Sequence, residues 1–166
     1  MLDDRQRVQR VLVLQDRAAY SDLVRKYQAE IRTYLTRLTR NRETADDLAQ
    51  ETFLQAYRQL AQLHDGNKFR SWVYSVAHSE FLQWYRQRKT KPHEVPDRTV
   101  SEASISAKAE VESLLKSLRP EESSAVILCL GHEFTHGEAA EILQMPVGTV
   151  KSLILRAKQK LGAPHG

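Results

Sequence analysis

The chain has 166 residues and a single cysteine, Cys129, so it cannot close an internal disulfide and nothing in it points to an oxidising compartment. With 41% hydrophobic and 28% charged residues it reads as globular rather than disordered, sized for one ordinary domain or two very small ones. A net charge of +4 suits a nucleic-acid partner, but only the placement of the cations can decide that.

Met1 to Arg10 is charged and lacks a long apolar run, so it does not read as a signal peptide. No apolar stretch reaches the about 18 residues of a membrane span. A soluble, cytoplasmic protein is expected. From there the helical period dominates. Leu23, Tyr27, Ile31, Tyr34, Leu35 and Leu38 form one stripe. Leu48, Phe53, Ala56, Tyr57 and Leu60 form a second. Phe69, Trp72, Val73, Val76, Ala77, Phe81 and Trp84 form a third. Three such faces can enclose a small core. The breaks between them are polar, Thr39 to Glu43 and His64 to Lys68, and the second holds the turn signal Asp65-Gly66-Asn67.

From Thr90 to about Ser106 the pattern stops, and Pro92, Glu94, Pro96, Asp97, Ser101 and Ser104 read as a linker. Helical pattern resumes with Val111, Leu114, Leu115 and Leu118. Pro120 suits the first position of a new helix, which carries Ala125, Val126, Ile127, Leu128 and Leu130 and stops at Gly131. Thr135-His136-Gly137-Glu138 is a capping box that starts a short helix, Glu138 to Leu143. Gln144-Met145 is a tight turn, and Pro146 opens a longer helix to about Leu161. Short helix, turn and longer helix make a helix-turn-helix, with Ala139 and Ala140 small enough for close approach. The expected fold is all-α: two small helical domains, 1–90 and 108–166, joined by a flexible linker over 91–107.

In the last helix Val147, Val150, Ile154, Ala157 and Leu161 form the expected buried stripe. Thr149, Lys151, Ser152, Leu155, Arg156, Lys158 and Lys160 lie opposite, with four cations and no acid. That face suits the DNA major groove, with N-terminal residues on base edges and cations on phosphates, and with the capping box and turn beside it this reading outweighs a merely solvated charged face. In the second helix Asp47, Gln50, Glu51 and Leu54 share a side. An acidic face cannot attract DNA. It serves either the helix dipole near an N-terminus, together with Thr44, or docking on a protein, and the residues alone leave the two even. The third helix ends in Arg86, Arg88, Lys89 and Lys91 just after Trp84 and Tyr85. Rings beside cations suit a single strand, although Trp84 also continues the core stripe.

Taken together these residues resemble the extracytoplasmic-function group of the sigma-70 family, from about Ala18 to Leu161. Asp46-Asp47-Leu48-Ala49-Gln50-Glu51-Thr52-Phe53-Leu54-Gln55-Ala56-Tyr57 looks like its core-binding helix. Phe69-Arg70-Ser71-Trp72-Val73-Tyr74-Ser75-Val76-Ala77 looks like the start of its promoter-melting segment. Val147-Gly148-Thr149-Val150-Lys151-Ser152 looks like the start of its recognition helix.

The resemblance implies a sigma factor that binds core RNA polymerase, through the β′ clamp helices and the β flap, and directs it to promoter DNA. Asp47, Gln50, Glu51 and Leu54 would dock on the clamp, which decides the even choice above. The Leu63 to Lys68 loop and the third helix, with Lys68, Arg70, Ser79, Arg86, Arg88 and Lys89, would capture the −10 element as single strand. Thr149, Lys151, Ser152, Leu155, Arg156 and Lys158 would meet the −35 element. An anti-sigma factor would hold the protein inactive. Two positions depart from the family: His78-Ser79 stands where Arg-Asn is frequent, near the −10 strand, and Leu153 stands where an arginine is frequent.

No cofactor is expected. Cys129, His132 and His136 are spaced like metal ligands, but a cysteine at a helix end and two surface histidines explain them more simply. His78 near Glu80 is read as a surface polar position. The rival functions are an autonomous helix-turn-helix regulator, which leaves the acidic helix and the third-helix cations without a purpose, and a helical adaptor, which has no need of cations from Lys151 to Lys160. An enzymatic reading has no motif behind it.

Overall fold

A computed structural model of the chain describes residues 1–90 and 118–162. Those residues are helical and contain no strand. The chain divides into two compact units, Met1–Pro92 and His93–Gly166. The expected linker, and the resumed pattern at Val111, Leu114 and Leu115, lie outside the described residues, as do the side chains of Lys89 and Leu161. No helix among the described residues is long and apolar enough to cross a membrane.

The first unit packs α1 (Asp4–Leu14), α2 (Arg17–Thr39), α3 (Arg42–Gln59) and α4 (Phe69–Thr90). α1 is an element that the hydrophobic pattern did not announce. Asp3 caps it by accepting from the Gln6 N–H at 2.8 Å, and the Gln6 side chain returns the bond to the Asp3 N–H at 2.9 Å. It turns only Val8 and Val11 inward. Its docking is partly polar: the Asp4 carboxylate accepts from the Lys26 ammonium at 2.9 Å and from the Tyr27 hydroxyl on α2.

α2 begins at Asp16, which accepts from the Ala19 N–H at 3.1 Å and from Arg10 Nε at 2.9 Å. It buries Leu23, Tyr27, Ile31, Tyr34 and Leu35 as the stripe predicts, with Leu38 half-buried. α3 begins at Asn41, whose side chain accepts from the Thr44 N–H at 3.0 Å. Its inner face is Ala45, Ala49, Thr52, Phe53 and Ala56, mostly small residues that let α3 lie close on α2. Tyr57 is one step of about 100° beyond Ala56, so it is 43% exposed rather than core. Its ring instead meets Tyr20 edge-on at 4.9 Å, while the Tyr20 hydroxyl bonds the Phe53 carbonyl.

α4 is buried over more than half its circumference by Phe69, Val73, Tyr74, Val76, Ala77, His78 and Phe81. His78 is therefore not a surface position. Only 8% exposed, its Nδ1 lies 3.2 Å from the Tyr34 hydroxyl, and burial pushes its imidazole down to about 4. Trp72 and Trp84, expected in the core, are both half-buried. Trp72 lies on the outer side of the helix, and Trp84 lies on the core side near its end.

The second unit contains α5 (Pro120–Val126), a π turn (Ile127–Gly131), α6 (His136–Leu143) and α7 (Val147–Gly162). Pro120 holds the first turn of α5 as expected. The π turn rotates the chain, so Leu130 is exposed instead of joining Ile127 and Leu128 in the core. Val150, Leu153, Ile154 and Ala157 form the buried side of α7 against α5 and α6. Val147 is 40% exposed and leaves the expected stripe, and Leu153 replaces it. The place where the family often has an arginine thus holds a core residue here. Ala139 and Ala140 are buried where α6 meets α7.

Candidate functional site

On α3 the inward alanine face fixes what points outward. Asp47 and Gln50 are exposed, Leu54 is 53% exposed, and Glu51 is half-buried. The four expected docking residues therefore line one outer side, with exposed Tyr57 continuing it. α3 starts at Arg42, so Asp47 and Gln50 stand beyond the first turn, where the helix dipole has little hold on charge. Glu51 accepts from Gln55 Nε2 at 3.0 Å. Burial, and then the charge of Glu51, push up the carboxyl of Glu80 on α4, so acidity extends across two helices. Asp46 sits beside this face, 3.8 Å from Arg32. The side thus joins negative charge, an amide and apolar area, which suits a basic protein surface more than a phosphate backbone.

The loop between α3 and α4 is built from two short 3-10 turns, Leu60–Gln62 and Gly66–Lys68. Asp65 pins the second by accepting from the Asn67 N–H at 3.0 Å. Lys68 is exposed at its end. Along α4, steps of three and four residues put half-buried Trp72 and Ser75, exposed Ser79 and exposed Arg86 on one outer stripe. A ring, hydroxyls and a cation in that order can meet a single strand by stacking and by phosphate contact. Trp72 was placed in the core by periodicity; its position about 140° round the helix from Ala77 was the available signal.

Arg70 and Arg88 do not join that stripe. Arg70 is tied to Glu30 of α2, with Nη2 at 2.9 Å and Nε at 3.0 Å from one carboxylate oxygen. Tyr74 donates to the same oxygen at 2.9 Å, and the guanidinium lies 5.5 Å over its ring. Arg88 lies about 160° round the helix from Arg86 and stacks 5.1 Å over Trp84.

In the second unit Thr135 accepts from the Glu138 N–H at 3.0 Å, and Glu138 accepts from the Thr135 N–H at 3.0 Å, the expected reciprocal cap of α6. Gln144 ends α6 in a left-handed conformation (φ 54°), and Met145 and Pro146 complete the turn. The Pro146 carbonyl accepts from Thr149 and Val150, so the proline sits just before α7 rather than inside it. A shallow groove of about 550 Å³ runs along the turn between Gly137, Ala140, Gln144 and Val147. Thr149, Lys151, Ser152, Leu155, Arg156 and Lys158 are all exposed on the outer side of α7, and Leu155 is 57% exposed. Lys160, counted among the outer cations, instead reaches the buried Glu122 of α5 at 3.0 Å. Three cations remain on the outer face, and no acid lies between Val147 and Gly162. Among the described residues no group of three or more His, Cys, Asp or Glu comes together to hold a metal ion. Cys129 is half-buried, and burial, then Glu138, push its thiol up.

Comparison with known proteins matches this arrangement unit by unit. The sigma-70 region 2 profile covers residues 23–91, and the sigma-70 region 4 profile covers residues 108–161. The chain is 32% identical to the RNA polymerase sigma factor YlaC of Bacillus subtilis, over 89% of this chain and 92% of that relative. It is 30% identical to the ECF RNA polymerase sigma factor SigE of Mycolicibacterium smegmatis, over 86% of this chain but only 60% of that longer relative. In structure it resembles the sigma factor RpoE solved with the anti-sigma factor NepR from Bartonella quintana, with a TM-score of 0.74 and 21% identity over 86% of this chain and 93% of that one. The chain belongs to the sigma-70 family, in its extracytoplasmic-function group.

Proposed function

We propose that the chain binds core RNA polymerase and carries it to promoters, reading the −10 element with the first unit and the −35 element with the second. The domain limits of this reading are 1–90 and 108–166. The observation that carries it is the separation of charge between faces. Asp47, Gln50 and Leu54 look outward from α3, while the Ser79–Arg86 stripe and the Lys151–Lys158 face carry exposed cations. A protein that gripped DNA alone has no use for the first of these. On α7, Thr149 and Ser152 stand near the N-terminal end, where a groove-bound helix meets base edges, and Lys158 stands where phosphates pass. On α4, Trp72, Ser79 and Arg86 take the strand, with Lys68 in the loop beside them.

Arg70 has a different part in this reading. Its bonds to Glu30 orient the start of α4 instead of neutralising a phosphate. Control by an anti-sigma partner is the regulation we infer, because a protein of like fold is held in such a complex. The test is run-off transcription with purified core polymerase on a pool of genomic promoter fragments. The reading expects defined transcripts that depend on the added chain. Operator binding without any transcript would place the protein among autonomous regulators.

A further inference from the structure

We infer that α1 is a positioning element for the loop Leu63–Lys68, so that strand selection depends on a helix with no cation on the stripe itself. The inference rests on the reading of that loop as part of the −10 capture surface. α1 lies directly against the loop's second 3-10 turn. At Gly66 the two backbones come so close that a Cβ there would stand 2.8 Å from the Arg5 Cα and 3.3 Å from the Val8 Cβ. No positive φ is required of Gly66, so space alone demands glycine.

Both ends of this contact are anchored. Val8 and Val11 are buried, and Asp4 is bonded to Lys26 and Tyr27 on α2. The Tyr27 ring packs on Phe69 at 5.6 Å, and the Phe69 N–H closes the 3-10 turn on the Gly66 carbonyl. The loop is therefore gripped from α1 on one side and from the root of α4 on the other. Lys68 and the first turn of α4, which carries Trp72, inherit their height from that grip. A displacement of about 1 Å at a binding constellation can cost about 100-fold in its function. The loop carries few buried apolar groups of its own to resist such a shift.

The experiment uses the full chain assembled with core polymerase and a randomised pool of single-stranded oligonucleotides, with enriched sequences read out. Gly66→Val wedges α1 from the loop, and Val8→Ala loosens the same contact without a wedge. Both variants are expected to bind core polymerase within about twofold of the parent, yet to lose about tenfold or more of the enrichment ratio between selected and unselected strands. Val8→Ile is expected to restore it. Unchanged enrichment in Val8→Ala overturns the inference, and that holds even if Gly66→Val fails to fold. An equal fall in core binding and enrichment also overturns it, because α1 would then only stabilise the unit. If the parent chain itself enriches no sequence, the loop reading fails first, and the inference fails with it.

Discussion

The Nζ of Lys160 lies 3.0 Å from Oε2 of Glu122, a carboxylate with no exposed surface, and so the end of helix α7 is tied back to α5. Arg119 approaches the other oxygen at 3.3 Å. Burial pushes the Glu122 carboxyl up, but the bonds and charges of Lys160 and Arg119 outweigh it and hold the group below the usual carboxylate range.

Glu122→Gln is expected to destabilise the second unit by about 1 kcal/mol, since the two exposed cations regain water when the charge goes. A carboxyl held low in the folded state adds stability above its unfolded value, and the gain is lost as pH falls through the folded one. Urea unfolding of parent and variant should therefore differ at neutral pH and converge in acid. Equal stability at neutral pH would show that the tie contributes nothing.

His78 gives the opposite kind of titration. It is neutral and buried against Tyr34, with its imidazole pushed down to about 4 from 6.5. An unfolded chain takes up a proton near 6.5, while the folded one does not until about 4. Stability is thus full above pH 6.5 and declines as pH falls toward 4, by about 3 kcal/mol in all. His78→Gln cannot titrate, so its unfolding free energy should lack this decline. A parallel decline in both proteins would assign the acid sensitivity elsewhere.

Arg156 and Lys158 should separate by the kind of contact each makes. Arg156→Ala is expected to lower discrimination at one −35 base pair by about 1–3 kcal/mol. Lys158→Ala is expected to weaken binding to all duplexes alike and to reduce the slope of log affinity against log salt by about 1. Duplex titrations at several salt concentrations measure both. Uniform weakening by Arg156→Ala would place it on a phosphate.

The parts that were legible in the sequence are those whose cause is local. Thr135 and Glu138 sit three apart and cap α6 as written. Leu23 to Leu35 recur at the helical period and are buried. The outward side of α3 follows from the same period. What escaped has its cause far along the chain. α1 shows only Val8 and Val11 as buried apolar residues, and its hold comes from Tyr27, 23 residues from Asp4, and from the loop at Gly66. Its one local signal was the Asp3–Gln6 capping box. Arg70 reads as a free cation until Glu30, 40 residues earlier, is seen to take it. Lys160 reads the same way until Glu122, 38 residues earlier, does so. Charge gives no period, so such pairings have no pattern to follow. His78 and Leu153 are buried because α4 and α7 bury wider arcs than a single stripe.

The separation of a protein-docking face from the DNA faces is tested most directly by Asp47→Lys, with affinity for core polymerase measured by fluorescence anisotropy beside a thermal melt. Asp47 is exposed and, among the described residues, makes no hydrogen bond or ion pair, so folding should be unaffected. The expected result is core affinity reduced at least about 100-fold, the effect of reversing a charge at a docking centre, with −35 duplex binding and the melting midpoint unchanged. Core affinity equal to that of the parent chain would contradict the account.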